Sequence, residues 1–375
     1  MTNLYDVIDK SALYDNVNAG YVRIQNHPTE PLVILNYTNK AQYDSAWNEV
    51  TKKTRGLIVN AVTDEIVSRP FEKFFNWSQI PSDEQARLMS VPVEAAIKWD
   101  GSLGVLYSLH TGESAIATRG SFTSPQALHA TEVLRTRYPE FEPIGGLTYL
   151  FEIVYPGNRI VVDYKDMDDL VLIAVLDTET GRTLPFVDDH FGIFNTYDFP
   201  GPVNTHIRRF ETLADVLAAA QQANEEGFVV RFLGSDMRVK IKFDEYVRLH
   251  RILTNVSSIS VWDALAHGQG IAAFIDHVPD EFYDWVHKQA QALERAFEDR
   301  KNEANEAFEW IMRRVRRPEE DAAKRRKEFA LLALHSPYKD VLFGMYDGKD
   351  VSERLWKAVR PDYDKPFSNA NEDTA

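Results

Sequence analysis

Short apolar runs bounded by glycine, proline, asparagine and aspartate dominate the first two-thirds of the chain. The runs at 31–38, 56–62, 93–97, 103–109, 147–155, 170–177, 227–233 and 237–243 are dense in valine, isoleucine, leucine, phenylalanine and tyrosine, a composition that predicts strands. Helical stretches punctuate them at 82–89 after Pro81, at 125–138 after Ser124 and at 212–223 after Glu211, each with a capping residue or a proline at its start. Past residue 243 the period changes. Trp285, Val286, Leu293, Ala296, Phe297, Phe308, Ile311 and Met312 recur at about 3.6 residues, which predicts a long helix, and Pro318 and Pro337 punctuate further ones. The pattern predicts an α+β domain over 1–243, an all-helical domain over 244–360 and a polar tail over 361–375 that frays.

Composition narrows the class. Of 375 residues, 44% are hydrophobic and 26% charged, enough apolar material for a large core and too much for general disorder. Cysteine is absent, which rules out disulfides and thiolate metal sites and fits a reducing compartment. No run approaches the ~18 apolar residues of a membrane span. Residues 1–10 are polar and acidic rather than signal-like, so the expectation is a soluble cytoplasmic protein with no membrane partner. The formal net charge of −15 argues against indiscriminate coating of nucleic acid, because phosphate is repelled, but leaves room for a local basic groove.

Candidate chemistry begins at Lys98-Trp99-Asp100-Gly101-Ser102, between two predicted strands. Lys98 there ends a strand and opens a tight turn, in which Gly101 permits close backbone approach to a ligand. A lysine amine attacks phosphorus only when unprotonated. From a reference pKa of about 10.4, cationic neighbours, burial or a metal ion can bring it toward neutrality. The alternative is a solvated lysine on a surface hairpin. Lys240 and Lys242, two apart in a predicted strand, project from one face, as lysines also do when they protect a sheet edge. Glu152 interrupts an apolar strand, where a carboxylate needs an ion-pair partner, a metal or a ligand. Glu225 and Glu226 precede Gly227 at the mouth of another strand. With Glu152, this acid suits a hydrated Mg²⁺; otherwise it is a turn with a glycine cap. Arg55 and Arg119, each followed by glycine, and Lys73 within FEKFFN offer cations for phosphates, although arginines are common in turns. Together these groups describe phosphoryl or nucleotidyl transfer. Neither a P-loop nor the HRD and DFG signatures of kinases are present.

The order KWDGS, FEIV, LVLIAV, EGFV, KIK resembles that of the covalent nucleotidyltransferases, the superfamily of polynucleotide ligases and capping enzymes. More narrowly, the chain resembles the RNA ligase 1 family of bacteriophage. That likeness rests on TRGLIVN from Thr54, SRPFEKFFN from Ser68, KWDGSL from Lys98, TRGS from Thr118, FEIVYPGNRIVVDY from Phe151, EGFVVRF from Glu226 and VKIKFDEYVRLH from Val239. The resemblance implies an adenylyltransferase domain of antiparallel sheets with flanking helices over 1–243, using ATP with Mg²⁺ or Mn²⁺. It implies three steps. Lys98 attacks the α-phosphorus of ATP and releases pyrophosphate; AMP passes to an RNA 5′-phosphate; a 3′-hydroxyl then displaces AMP. By motif, Arg55, Lys73 and Arg119 would meet the nucleotide phosphates, and Glu152 the ribose or a metal-bound water. Glu226 would serve the metal, Lys240 and Lys242 would contact the α-phosphate, and Asp100 and Gly101 would shape the pocket. The implied partners are RNA ends, transfer RNA broken in its anticodon loop among them, and an end-healing kinase–phosphatase. The implied place is a host cytoplasm if the chain is phage-encoded.

Two other classes compete. A DNA ligase or capping enzyme normally appends a five-stranded OB-fold after the KIK motif, where this chain becomes helical. A non-catalytic nucleotide- or RNA-binding module predicts no covalent label, and RNA binding unchanged by Lys98→Ala. In the helical region, Arg313, Arg314, Arg316 and Arg317, with the cluster at 324–327, could meet RNA phosphates. They could equally form a solvated face balanced by Glu319, Glu320 and Asp321.

Overall fold

The computed structural model describes residues 2–364, except 187–194, 220, 223, 245, 248–255, 269, 276–277, 279–281 and 316–320. The chain forms two compact units, Met1–Leu253 and Thr254–Ala375. Among the described residues the first unit holds three sheets. The first sheet runs in the order β1 (Val22–Asn26), β2 (Leu32–Tyr37), β3 (Arg55–Asn60), β4 (Ile66–Ser68). The second contains β7 (Ser102–Ser108), β8 (Ser114–Thr118), β9 (Leu147–Val154), β10 (Asp169–Asp177) and β11 (Thr183–Leu184), in the order β11-β10-β9-β7-β8. The third contains β5 (Phe75–Asn76), β6 (Val93–Ile97), β12 (Ile207–Phe210), β13 (Gly227–Phe232) and β14 (Arg238–Lys242), in the order β12-β6-β13-β14-β5. The pairings are antiparallel, as expected, apart from β5 with β14, which run parallel.

Alternation along β9 shows how the second sheet is buried on both faces. Tyr149, Phe151 and Ile153 pack with the helix Pro125–Arg137 and Phe199, while Leu150 joins Ile34 and Ile58 of the first sheet. A strand covered on both faces reads as a continuous apolar run, which is why 147–155 was legible. Phe151 is fully buried, and truncating it to alanine should cost about 3–5 kcal/mol. Val93, Ala95, Val230, Phe232 and Val239 fill the separate core of the third sheet.

The structure differs from the sequence reading in several places. The helix after Pro81 has that proline at its N-cap and no side-chain cap. The stretch 212–223 is helical only over Leu213–Leu217 among the described residues. Gln221 instead bonds the Asp244 backbone, as the chain turns toward β13. Strands β1 and β8 and the helices Lys10–Asn18, Asn39–Tyr43 and Glu49–Lys53 were not foreseen.

The second unit is helical where described. Its helices are Ser258–Ala266, Ile271–Ile275, Tyr283–Met312, Ala322–Ala333, Lys339–Tyr346 and Ser352–Ala358. Ile311, Phe329, Ala333 and Leu342 form one apolar cluster, and Ala304, Val341 and Leu355 another. Of the basic clusters, Arg313 pairs with Glu309, Arg314 stacks on Trp310, Lys324 pairs with Asp321 and Arg326 with Asp347. Arg316, Arg317, Glu319 and Glu320 lie outside the described residues. The first residues of the tail are paired with the chain. Ser258 N–H donates to the Asp364 carbonyl, and Ser258 Oγ donates to that of Asp362, so backbone pairing holds a polar segment that hydropathy alone marked as loose. No helix among the described residues is long and apolar enough to cross a membrane.

Candidate active site

Strand register assembles the site. Ile97, the last residue of β6, pairs with Phe228 of β13, so Lys98 meets Gly227 and its backbone N–H donates to the Gly227 carbonyl at 2.8 Å. The preceding residue, Glu226, thereby comes beside the lysine side chain. Lys98 Nζ donates to Glu226 Oε2 at 2.5 Å. On the other side β13 pairs with β14, Gly227 opposite Lys242 and Val229 opposite Lys240, which sets both lysines on one face. Lys242 Nζ lies 3.3 Å from Glu226 Oε1. Gly227 is required here: its φ is +143°, and a Cβ would sit 2.0 Å from the Ile241 carbonyl oxygen.

Glu226 is 2% exposed. Burial opposes its ionisation, but Lys98, Lys242 and Lys240 outweigh burial and hold its carboxyl below the ordinary value. Glu152 behaves in the opposite way. Burial pushes it up to about 7, Lys98 opposes, and the neighbouring Glu226 and Asp100 push further up. Its Oε1 accepts the Gly101 N–H at 3.0 Å. A Cβ on Gly101 would lie 2.5 Å from the Ile153 carbonyl oxygen, so glycine alone lets the turn close against β9. Asp100 faces inward. Its Oδ2 accepts the Val161 and Val162 N–H groups at 2.8 Å each, and its Oδ1 accepts the Tyr246 hydroxyl at 2.9 Å.

A second group of cations gathers around aromatic rings. The Lys73 ammonium is 5.5, 5.1 and 5.3 Å from the ring centres of Tyr37, Trp47 and Phe75. Arg119 Nη1 donates to the Tyr37 hydroxyl at 2.7 Å, and its guanidinium lies 4.9 Å from that ring. Arg55 and Lys240 approach the Phe74 ring at 5.4 and 5.5 Å, so Phe74 joins the two groups. The parallel pairing of Phe75 with Val239 and Asn76 with Lys240 brings this segment there. The structure thus places Lys98, Glu226, Glu152, Gly101 and Lys242 in one cluster. Lys240 bridges to Arg55, and Lys73 and Arg119 share Tyr37. Asp100 anchors the turn from behind. Tyr37, Trp47, Tyr164 and Tyr246 were not singled out in the sequence, although Tyr164 and Tyr246 lie within the stretches FEIVYPGNRIVVDY and VKIKFDEYVRLH.

Glu152 and Glu226 bear on a divalent ion. Among the described residues no group of three or more histidine, aspartate or glutamate side chains forms a nest for one. Two carboxylates fit an ion that keeps several waters and takes further oxygens from nucleotide phosphates.

Residues 53–247, just over half of the chain, match the family model described as RNA ligase, and the chain belongs to that family. It is 24% identical over 377 residues to an RNA ligase of Rhodothermus phage RM378, covering 82% of this chain and 83% of the relative. It is 28% identical over 218 residues to a protein of Thermovibrio ammonificans provisionally named RNA ligase, covering 56% of this chain. It is 29% identical over 259 residues to an Autographa californica nuclear polyhedrosis virus protein provisionally named bifunctional polynucleotide kinase/RNA ligase, covering 61% of this chain. The matches span 55% and 35% of the bacterial and viral relatives' own lengths.

Proposed function

We propose that this protein is an ATP-dependent RNA ligase whose nucleophile is Lys98. The observation that carries the proposal is the Lys98 amine, 2.5 Å from a buried Glu226 and flanked by Lys242, inside a chain of the RNA ligase family. The amine attacks the α-phosphorus of ATP, a P–N bond forms, and pyrophosphate leaves. The RNA 5′-phosphate then attacks the same phosphorus and frees the lysine. A 3′-hydroxyl closes the phosphodiester and AMP departs.

Each neighbour has a part. Glu226 holds Lys98 in line before the nucleotide enters. Lys240 and Lys242 place positive charge where the α-phosphate becomes more negative. Arg55, Lys73 and Arg119 hold the outer phosphates, the rings of Tyr37, Trp47 and Phe75 keeping Lys73 in place. Glu152, poised between its charged and neutral forms near pH 7, contacts the ribose or a bound water. A divalent ion, Mg²⁺ or Mn²⁺, held through water by Glu226 and Glu152, would supply further positive charge to the phosphates. The substrate is RNA bearing 5′-phosphate and 3′-hydroxyl ends, with cleaved transfer RNA a candidate. Ends of that chemistry call for a kinase–phosphatase upstream, and the viral relative's name joins a kinase to a ligase.

The test is incubation with α-labelled ATP and Mg²⁺, then a denaturing gel and mass spectrometry. The expected result is an acid-labile AMP adduct on Lys98 that chases onto 5′-phosphorylated RNA and is abolished by Lys98→Ala. Retained labelling in Lys98→Ala would overturn the choice of nucleophile. Absence of any adduct in protein shown by mass to be free of AMP would overturn the ligase reading.

A further inference from the structure

The stretch after β9, with no assigned part in the chemistry, grips the turn that carries Lys98. The Val161 and Val162 N–H groups reach Asp100, as described. The Asp100 N–H in turn donates to the Tyr164 hydroxyl at 2.8 Å. The Tyr164 ring stacks on Trp99, with centroids 5.0 Å apart and planes 24° from parallel. Asn158 Nδ2 donates to Ser102 Oγ and to the Ile153 carbonyl, both at 3.0 Å. The far side of the same stretch is tied to the approach to β13. Asp163 N–H donates to Asn224 Oδ1 at 2.8 Å, and Asn224 Nδ2 donates to the Asp163 carbonyl at 3.1 Å. Asn224 is two residues before Glu226. One segment therefore holds both partners of the Lys98–Glu226 pair.

Between Lys98, anchored on Gly227, and Gly101, the turn carries the Trp99 side chain and the Asp100 N–H. Tyr164 engages both. We propose that Tyr164 is a positioning residue for the covalent step at Lys98. Its ring fixes Trp99 and its hydroxyl fixes the Asp100 amide, and together they set the direction of the lysine side chain toward the reacting phosphorus. This inference rests on the ligase reading for its purpose, but not for its geometry. A group misplaced by about 1 Å can slow a reaction about a hundredfold without weakening binding.

Two variants and two readouts test it. Tyr164→Phe keeps the stack and loses the acceptor. Tyr164→Leu loses both. In single-turnover adenylylation at saturating ATP, Tyr164→Phe should be slower by roughly fivefold and Tyr164→Leu by roughly a hundredfold, with the half-saturating ATP concentration within about twofold of wild type. Amide exchange without nucleotide should speed up over residues 98–102 in Tyr164→Leu, while β7 and β9 stay protected. A wild-type rate in Tyr164→Leu overturns the proposal. So does a loss confined to the half-saturating concentration, which would make Tyr164 a binding residue. So does exchange that rises across the whole unit together with a fallen melting temperature, which would make its role one of folding alone. If wild-type protein takes no label, the ligase reading fails, and unchanged exchange at 98–102 in Tyr164→Leu would overturn the clamp separately.

Discussion

The two ends of the β13–β14 pair both gather charge into the protein, and they do so differently. At one end Arg231 lies opposite Arg238. Arg231 bonds Glu94 at 3.0 Å and Asp236 at 3.3 Å; Arg238 bonds Asp236 at 3.2 Å, reaches Thr183 and lies over the Phe71 ring. Two arginines and two carboxylates close on one another. Burial lowers the Arg238 guanidinium to about 10, against the pull of Asp236. At the other end Lys98, Lys240 and Lys242 surround Glu226 and Glu152, and Glu152 is only part ionised at neutral pH because burial raises it to about 7. The first end pairs its arginines directly with carboxylates, Arg209 also lying 3.9 Å from Glu94. The second gathers three lysines around two carboxylates of which one is only part ionised, with Asp100 turned to the Val161 and Val162 amides, an arrangement suited to a phosphate. The same pair of strands therefore carries one charge cluster closed on itself and another that the proposed function assigns to a ligand.

The contrast can be broken by exchanging the damage. Glu226→Ala should slow adenylylation by about a thousandfold, measured by single-turnover labelling, and lower stability by less than the corresponding change at the far end. Asp236→Ala leaves two largely buried arginines without their shared carboxylate. It should cost about 3 kcal/mol in urea denaturation, with normal labelling per folded molecule. An Asp236→Ala protein that melts normally yet fails to label would reverse the assignment of the two ends. Lys240→Ala should slow labelling by about a hundredfold, with a melting temperature close to wild type.

The smallest effect is in the pH dependence of stability. Glu152 is raised from 4.5 to about 7 by folding, so the stability it contributes is complete below about 4.5 and is lost as pH rises through 7. Glu152→Gln stays neutral throughout. Its melting temperature should gain on wild type by a few degrees between pH 5 and pH 8. Glu226, held low by its lysines, contributes stability above its ordinary value and loses it as pH falls further, so Glu226→Gln should gain on wild type only in acid. Parallel profiles for the two variants would show that the two carboxylates share one environment.

Much of this was legible along the chain because buried strands write themselves as apolar runs. Glu152 could be noticed since it breaks one, Lys98 and Glu226 stood beside strand ends and glycines, and Lys240 and Lys242 alternate along one strand. The pairing of Lys98 with Glu226 was not legible. It depends on the register of β6 against β13, which are far apart in sequence, and no local period records it. The aromatic setting of Lys73 was hidden for a similar reason, because Tyr37, Trp47 and Phe75 come from separate elements. Short helices such as Asn39–Tyr43 have too few turns to show an amphipathic face.

The order of strands in the third sheet also sets when the site can exist. β6 is synthesised by residue 97, yet its neighbours β12 and β13 follow only at 207–210 and 227–232, and β5 waits for β14 at 238–242. At a typical elongation rate, Lys98 leaves the ribosome on the order of ten seconds before the carboxylate that will hold it. A nascent or prematurely ended chain carries Lys98 without the groups that surround it. The assembled cluster is thereby confined to molecules whose first unit has been made to its last strand.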